Sequence, residues 1–259
     1  MAETCRDYTI QALHHALKVL ETFLDANTNE QGVTEISAAL GLNKSRVFRI
    51  LSTLEQHGFV EQNLDSKRYR LGLRLLAYSE AVHRRLNVVH TADPVLDQLA
   101  EQSGETVHMG VVDGHEAVCV AKRESKHSVR LYAQVGKRAP LHAGGVPKVL
   151  LAHMSTEERQ RIIRDNGLPR FTDNTITDPA ALEEALAQIR QDGYVVAEQD
   201  LEPGAHSIAA PIRDHGGRVV AALSVAGPSQ RFSTQDIQRF VRLVCDAADQ
   251  ISQRLGYRP

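Results

Sequence analysis

The sequence predicts an α+β chain of two domains. Three observations carry that expectation. At 259 residues the chain is longer than most single domains. Its first 72 residues read as short helices followed by one short hairpin. From residue 92 onward, strand pairs joined at Gly-containing turns alternate with amphipathic helices, the pattern of an antiparallel sheet with segregated helices.

Between residues 9 and 26, Ile10, Leu13, Leu17, Leu20, Phe23 and Leu24 recur at helical spacing and predict an amphipathic helix. After a polar loop, Thr34 is expected to cap a short helix that Gly41 stops. Asn43 then caps a second helix from Lys44 to about His57, with Gly58 just past its end. Two helices joined by a tight turn containing Gly form a helix-turn-helix signature. Segments 59–63 and 68–72 flank the turn-forming 64–67 and predict a two-stranded hairpin. The first domain thus spans 8–72, a linker helix 73–91 and the second domain 92–257.

Asp93-Pro94 reads as an N-cap and first residue of a new helix. Two apolar runs around Asp113-Gly114 predict a hairpin over 106–123, and 128–134 a further strand. Residues 145–154 predict a helix, Ser155 with Glu158 a capping box, and Asp178 with Pro179 another helix start that ends at Gly193. Strands follow at 194–198, 206–214 and 218–227, the last two joined at Gly216-Gly217. A long amphipathic helix closes the chain over 233–255.

A formal net charge of −2 excludes a generally basic, nucleic-acid-coating protein but allows a local basic face. Cys5, Cys119 and Cys245 are odd in number, far apart and without C-x-x-C, against both a disulfide framework and a structural zinc site. The first residues lack the basic-then-apolar pattern of a secretory signal, and no apolar run approaches the roughly 20 residues that span a bilayer. A cytoplasmic protein without metal or cofactor is expected.

The basic residues concentrate in 41–72, where Lys44, Arg46, Arg49, Lys67, Arg68 and Arg70 face only Glu55, Glu61 and Asp65. On a helix, Val47, Ile50, Leu51 and Leu54 share one face at roughly 100° per residue. Ser45, Arg49, Ser52 and Gln56 share the opposite face, flanked by Arg46 and Thr53. Guanidinium forks, hydroxyls and an amide without a central carboxylate suit base edges and phosphates in a major groove. In a following wing, Lys67, Arg68 and Arg70 would meet phosphates or the minor groove. A solvated basic face is the plainer alternative. Turn spacing, the two-faced helix and the basic hairpin together favour double-stranded DNA.

The motifs "TEISAALGLNKSRVFRILSTLEQHGFVEQNLDSKRYRLGLRLL", "LHAGGVPKVLLA", "TITDPAALEEALAQIRQDGYVV", "EPGAHSIAAPIRD" and "GRVVAALSVAGP" lie in order along nearly the whole chain. Together they resemble the IclR family of bacterial transcription regulators. The resemblance implies an N-terminal winged helix-turn-helix, a linker helix and a C-terminal effector-binding domain with a GAF-like sheet. It also implies homodimers or homotetramers on pseudo-palindromic operators, and a regulator of catabolic genes, as repressor or as activator.

By match to the family's motifs, Gly145 and Val146 would present main-chain donors to a small effector, a carboxylate or aromatic compound, and Gly144 and Gly145 would let it approach the backbone closely. Such donors are apt at a helix N-terminus. Ser207 and Ser224 would form the opposite wall, with His108, Met109, His142 and Leu150 as further lining. The chain departs from the family at Pro147, Ala197 and Ala226. These replace a Gly, a frequent acid and a Ser, so a larger or more apolar ligand is expected. His206-Ser207 does not suit an enzyme's base and nucleophile, because neighbours on a strand face opposite ways. No G-x-S-x-G, Walker A or H-E-x-x-H motif occurs.

Overall fold

A computed structural model describes residues 9–25, 29–85 and 87–258. The chain divides into two compact units between Arg85 and Leu86.

The first unit contains α1 (Gln11–Asp25), α2 (Val33–Leu40), α3 (Lys44–Gln56), β1 (Val60–Gln62), β2 (Tyr69–Leu71) and α4 (Arg74–Arg85). Val19, Ile36, Val47, Leu51, Val60 and Tyr69 form its core, one or two from each of the first five elements. Asn43 caps α3 as expected, its Oδ1 accepting from the Arg46 N–H at 2.8 Å. Thr34 does not cap α2. Gln31 exchanges both backbone hydrogen bonds with Tyr69, which holds the chain extended up to Gly32. The helix therefore starts at Val33, and the Gly32 N–H donates to Glu35 Oε2 at 2.8 Å.

The second unit contains α5 (Asn87–Ser103), β3 (Thr106–Asp113), β4 (Glu116–Arg123), β5 (Arg138–Pro140), α6 (Gly145–Ala152), α7 (Thr156–Asn166), α8 (Pro179–Asp192), β6 (Val195–Glu198), β7 (Ala205–Arg213), β8 (Val219–Pro228) and α9 (Thr234–Arg254). The strands form one antiparallel sheet in the order β5-β4-β3-β8-β7-β6. Residues along each strand alternate between two helical layers. Ile208, Ala210 and Ile212 of β7 join Leu96, Leu99, Val244 and Ile251 of α5 and α9. Ala209 of the same strand joins Val149, Leu182 and Leu186 of α6 and α8.

Two expectations are corrected here. Asp93-Pro94 does not open a helix, since α5 begins at Asn87 and passes through Pro94. An interior Pro costs about 3 kcal/mol. Val88, Val89, Ala92, Val95, Leu96 and Leu99 are buried continuously across it. At about 1.5–3 kcal/mol for each large side chain, their burial outweighs that cost. The Asp93 carboxylate accepts from Arg123 at 3.0 Å instead of capping.

Residues 128–134 are not a strand. Two of their carbonyls are held by side chains: Leu131 O accepts from Thr106 Oγ1 at 3.2 Å and Val129 O from Arg231 at 3.0 Å. The segment forms a strap, and β5, at residues 138–140, is the strand that pairs with β4.

Gly72 closes the hairpin so tightly that a Cβ there would lie 2.2 Å from Gly58 O. Backbone cannot rotate away like a side chain. Gly72→Ala is therefore expected to destabilise the first unit by about 1–3 kcal/mol, read from the urea midpoint of the full chain.

Candidate functional site

Two sites follow from this framework, one in each unit. On α3, Val47 and Leu51 are fully buried, and Lys44, Ser45, Arg46, Arg49, Thr53 and Gln56 are exposed, with Ser52 at the boundary. Among the described residues, no carboxylate pairs with Lys44, Arg46 or Arg49. Glu55 is occupied elsewhere, its carboxylate accepting from the Gln62 N–H at 3.2 Å. Phe48, which the sequence analysis passed over, is 53% exposed on the flank of the same face. A helical wheel carries that signal, because Phe48 falls about 100° from the centre of the apolar stripe.

The wing differs. Arg68 donates to Glu30 O at 2.9 Å and to Glu35 Oε2 at 2.7 Å, so it ties the hairpin to α2 and the loop before it. Arg70 donates to its cross-strand neighbour Glu61 at 2.5 Å. Lys67 is exposed at the turn, in the left-handed region with φ 57°, and it is the wing cation with no carboxylate beside it among the described residues.

In the second unit, a cavity of about 770 Å³, open mouth included, lies between the sheet and the start of α6. The strap supplies Leu131, Tyr132, Ala133 and Gln134, and the turn between β6 and β7 supplies Asp200, Leu201 and Glu202. Of the expected residues, His108, Gly144, Gly145, Val146 and Ser207 line it.

Two donors at the α6 N-terminus are already engaged, and the Val146 N–H has no partner among the described residues. The Gly144 N–H donates to Asp200 Oδ1 at 3.2 Å, and the Gly145 N–H to Ser207 Oγ at 3.1 Å. Asp200 is in turn paired with Lys148 at 2.6 Å, both side chains 8% exposed. Pro147 has no N–H to offer. The adjoining sheet row is Ala197, Ser207, Ala226, so one hydroxyl stands between two methyl groups.

Ser224 lies behind His108, with its hydroxyl 3.0 Å from His108 Nδ1 and no exposed surface. It supports the lining and does not form it. Burial, reinforced by the Lys137 charge, pushes the His108 imidazole down to about 4, so it is neutral near pH 7. Burial likewise pushes the Cys119 thiol, another lining group, up to about 11, which leaves it protonated.

Three expected lining residues lie elsewhere. Met109 follows His108 on β3, so alternation sends it to the opposite face, into the core under α5 and α9. Leu150 points into the core between α6 and α8. His142 bonds Pro169 O through Nε2 at 3.0 Å and packs on Phe171. His206 and Ser207 do face apart: the His206 ring packs on Phe232, while Ser207 holds Gly145. No group of three or more His, Cys, Asp or Glu among the described residues could hold a metal. No helix among them is long and apolar enough to cross a membrane.

The family model for the IclR helix-turn-helix domain matches residues 12–64, and that for the C-terminal part of bacterial IclR transcriptional regulators matches 80–253. The chain is 34% identical to the transcriptional regulator XynR of Escherichia coli, over 96% of this chain and 98% of that one. It is 37% identical to the transcriptional repressor AllR of the same species, over 99% and 94%. Among solved structures, an IclR homologue of Microbacterium hydrocarbonoxydans complexed with 4-hydroxybenzoate superposes with a TM-score of 0.81. That homologue is 30% identical, with 94% of this chain and 98% of that chain covered.

The wing geometry gives one test. Arg68→Ala is expected to lower the melting temperature of the full chain, because a partly buried guanidinium that joins two elements is removed, whereas Lys67→Ala leaves it unchanged. Equal melting temperatures would show that the Arg68 bonds contribute nothing.

The buried imidazole gives another. The unfolded chain protonates His108 near its ordinary value of 6.5, and the folded chain only near 4. Its contribution to stability is therefore complete above about pH 6.5 and is lost as pH falls toward about 4. The full span corresponds to about 3 kcal/mol. Between about pH 7 and 5, wild type should lose more urea stability than His108→Gln.

Proposed function

The chain belongs to the IclR family of bacterial transcription regulators, and from that premise we propose how its two units divide the work. The first unit binds double-stranded DNA, with α3 in the major groove of a pseudo-palindromic operator. Ser45, Arg49, Ser52 and Gln56 face the bases, Lys44, Arg46 and Thr53 flank them, and Lys67 reaches a phosphate. Arg68 and Arg70 shape the wing and reach DNA only by sharing their carboxylate partners. The second unit senses a small molecule and represses catabolic genes in its absence. The protein acts in the cytoplasm as a homodimer or homotetramer.

The observation that carries this reading is the set of cations on α3 that no carboxylate among the described residues pairs. Elsewhere in the first unit Arg68 and Arg70 have carboxylate partners. Cations left without partners on one exposed helix face are suited to release counterions from DNA on binding. Oligomerisation is supported by Ile10, Leu13, Leu17 and Leu24, an apolar stripe more than half exposed along α1. Two-fold pairing would also double the contacts that one small reader can make.

For the effector, the cavity favours an apolar body. The Ala197 methyl group lines it, and of the α6 backbone N–H groups at its wall two are engaged and that of Val146 has no partner among the described residues. The 4-hydroxybenzoate held by the homologue has that chemistry.

The test is operator binding by fluorescence anisotropy. Arg49→Ala should weaken binding to the cognate operator by about 1–3 kcal/mol and relax base preference at one position. A loss equal on cognate and random DNA would move Arg49 from a base to a phosphate. No loss on either would remove α3 from the interface. Light scattering with a mass near the 28.6 kDa of one chain, at micromolar concentration, would overturn the oligomer.

A further inference from the structure

We propose that Lys137 captures the carboxylate of the effector at the cavity mouth, so that an aromatic monocarboxylate enters with its apolar body first. This rests on the effector reading above and fixes the orientation and the residue that reads charge.

The usual place for an anion would be the N-terminus of α6. Here the protein's own groups take two of its N–H donors and leave the N–H of Val146. Asp200 takes the Gly144 N–H and Ser207 takes the Gly145 N–H. A ligand carboxylate at that end would lie beside the Asp200 carboxylate, which is buried and already neutralised by Lys148. Two carboxylates sharing one buried cation is an unfavourable arrangement.

Lys137 stands differently. It lines the cavity, its side chain is 48% exposed, and its Nζ lies 3.2 Å from Glu202 and 5.9 Å from the centre of the Tyr132 ring. The pairing with Glu202 is a surface ion pair, which is weak and readily exchanged. Glu202 is 44% exposed, so water can solvate it once it is released. Lys137 therefore can trade one carboxylate for another without a buried charge being stranded.

The charge of Lys137 also reaches inward, since it is among the causes that keep His108 neutral. Leu131, Ala139, Val146, Ala197 and Leu201 give the lining apolar surface, which they share with the neutral His108 and the Ser207 hydroxyl. A flat apolar body fits there, with its charge left at the wet rim beside Lys137 and the Tyr132 ring.

The experiment uses the full chain and five probes: benzoate, phenylacetate, their two carboxamides and phenethylamine. Binding is read by calorimetry. The carboxylates should bind wild type more tightly than the carboxamides. Lys137→Gln should weaken carboxylate binding by about 10- to 100-fold, the range of a charge-assisted hydrogen bond, and change carboxamide binding by less than about 3-fold. Lys137→Arg should keep most of the carboxylate affinity. Equal losses for carboxylates and carboxamides would overturn the proposal by making Lys137 a packing group only. An unchanged carboxylate affinity in Lys137→Gln would also overturn it and return the anion to α6. If phenethylamine binds and no carboxylate does, or if no probe binds wild type, the effector reading itself fails, and this proposal with it.

Discussion

The pocket takes its form from one buried ion pair. Lys148 on α6 and Asp200 in the turn after β6 meet at 2.6 Å with both side chains 8% exposed. A buried charge without a partner costs several kcal/mol, so each residue holds the other in place. Asp200 also receives the Gly144 N–H, which pins the first residues of α6 to the turn between β6 and β7. That turn and the helix start are two walls of the cavity. The same bond uses the electrostatic attraction of the helix N-terminus for an internal carboxylate. What is left for a ligand is the Val146 N–H, space, apolar surface and the rim.

The close seating of α6 on the sheet follows from small residues at the contact. A Cβ on Gly110 would lie 2.8 Å from Val146 Cγ1, and one on Gly145 would lie 2.7 Å from Ser207 Oγ. The sheet thus approaches the helix within hydrogen-bond range, and the Ser207 hydroxyl bonds helix backbone directly. In this chain Ser207 serves α6 first. Any ligand that uses its hydroxyl must share it, as a hydroxyl with one donor and two lone pairs allows.

Much of this was legible in the sequence. Helix starts at Asn43, Ser155, Asp178 and Ser233 were set by side chains that accept the first free N–H groups, a local interaction that needs no tertiary partner. The DNA-facing side of α3 was legible because helical geometry assigns faces from spacing alone. The pairing of cations was not. Arg68 and Lys67 look alike in the sequence, yet one is engaged by Glu30 and Glu35, and Glu35 is separated from it by 33 residues. Met109 was misplaced although alternation along β3 excludes His108 and Met109 from sharing one face. The rule that separates His206 from Ser207 applies to that pair without change.

The two misread segments have a common cause, a local signal whose tertiary partner the sequence does not name. At Pro94 the local signal was a helix start, and burial of one continuous helix face overrode it. At 128–134 the local signal was a strand-like apolar run, and the structure does not keep a period of two: Val129 and Leu131 share a parity, yet Val129 is 68% exposed while Leu131, Tyr132, Ala133 and Gln134 line the cavity. What the pattern cannot state is the partner. These side chains meet a cavity, and the carbonyls of Val129 and Leu131 accept from side chains instead of a neighbouring strand. A segment with no strand beside it leaves its backbone free of the sheet's register. Such a segment can shift without breaking a ladder, and here it carries Leu131 and Tyr132 at the wall and mouth of the cavity. Local rules fail most where the fold leaves a sheet edge unpaired to make room for something else. In this chain that place is the pocket.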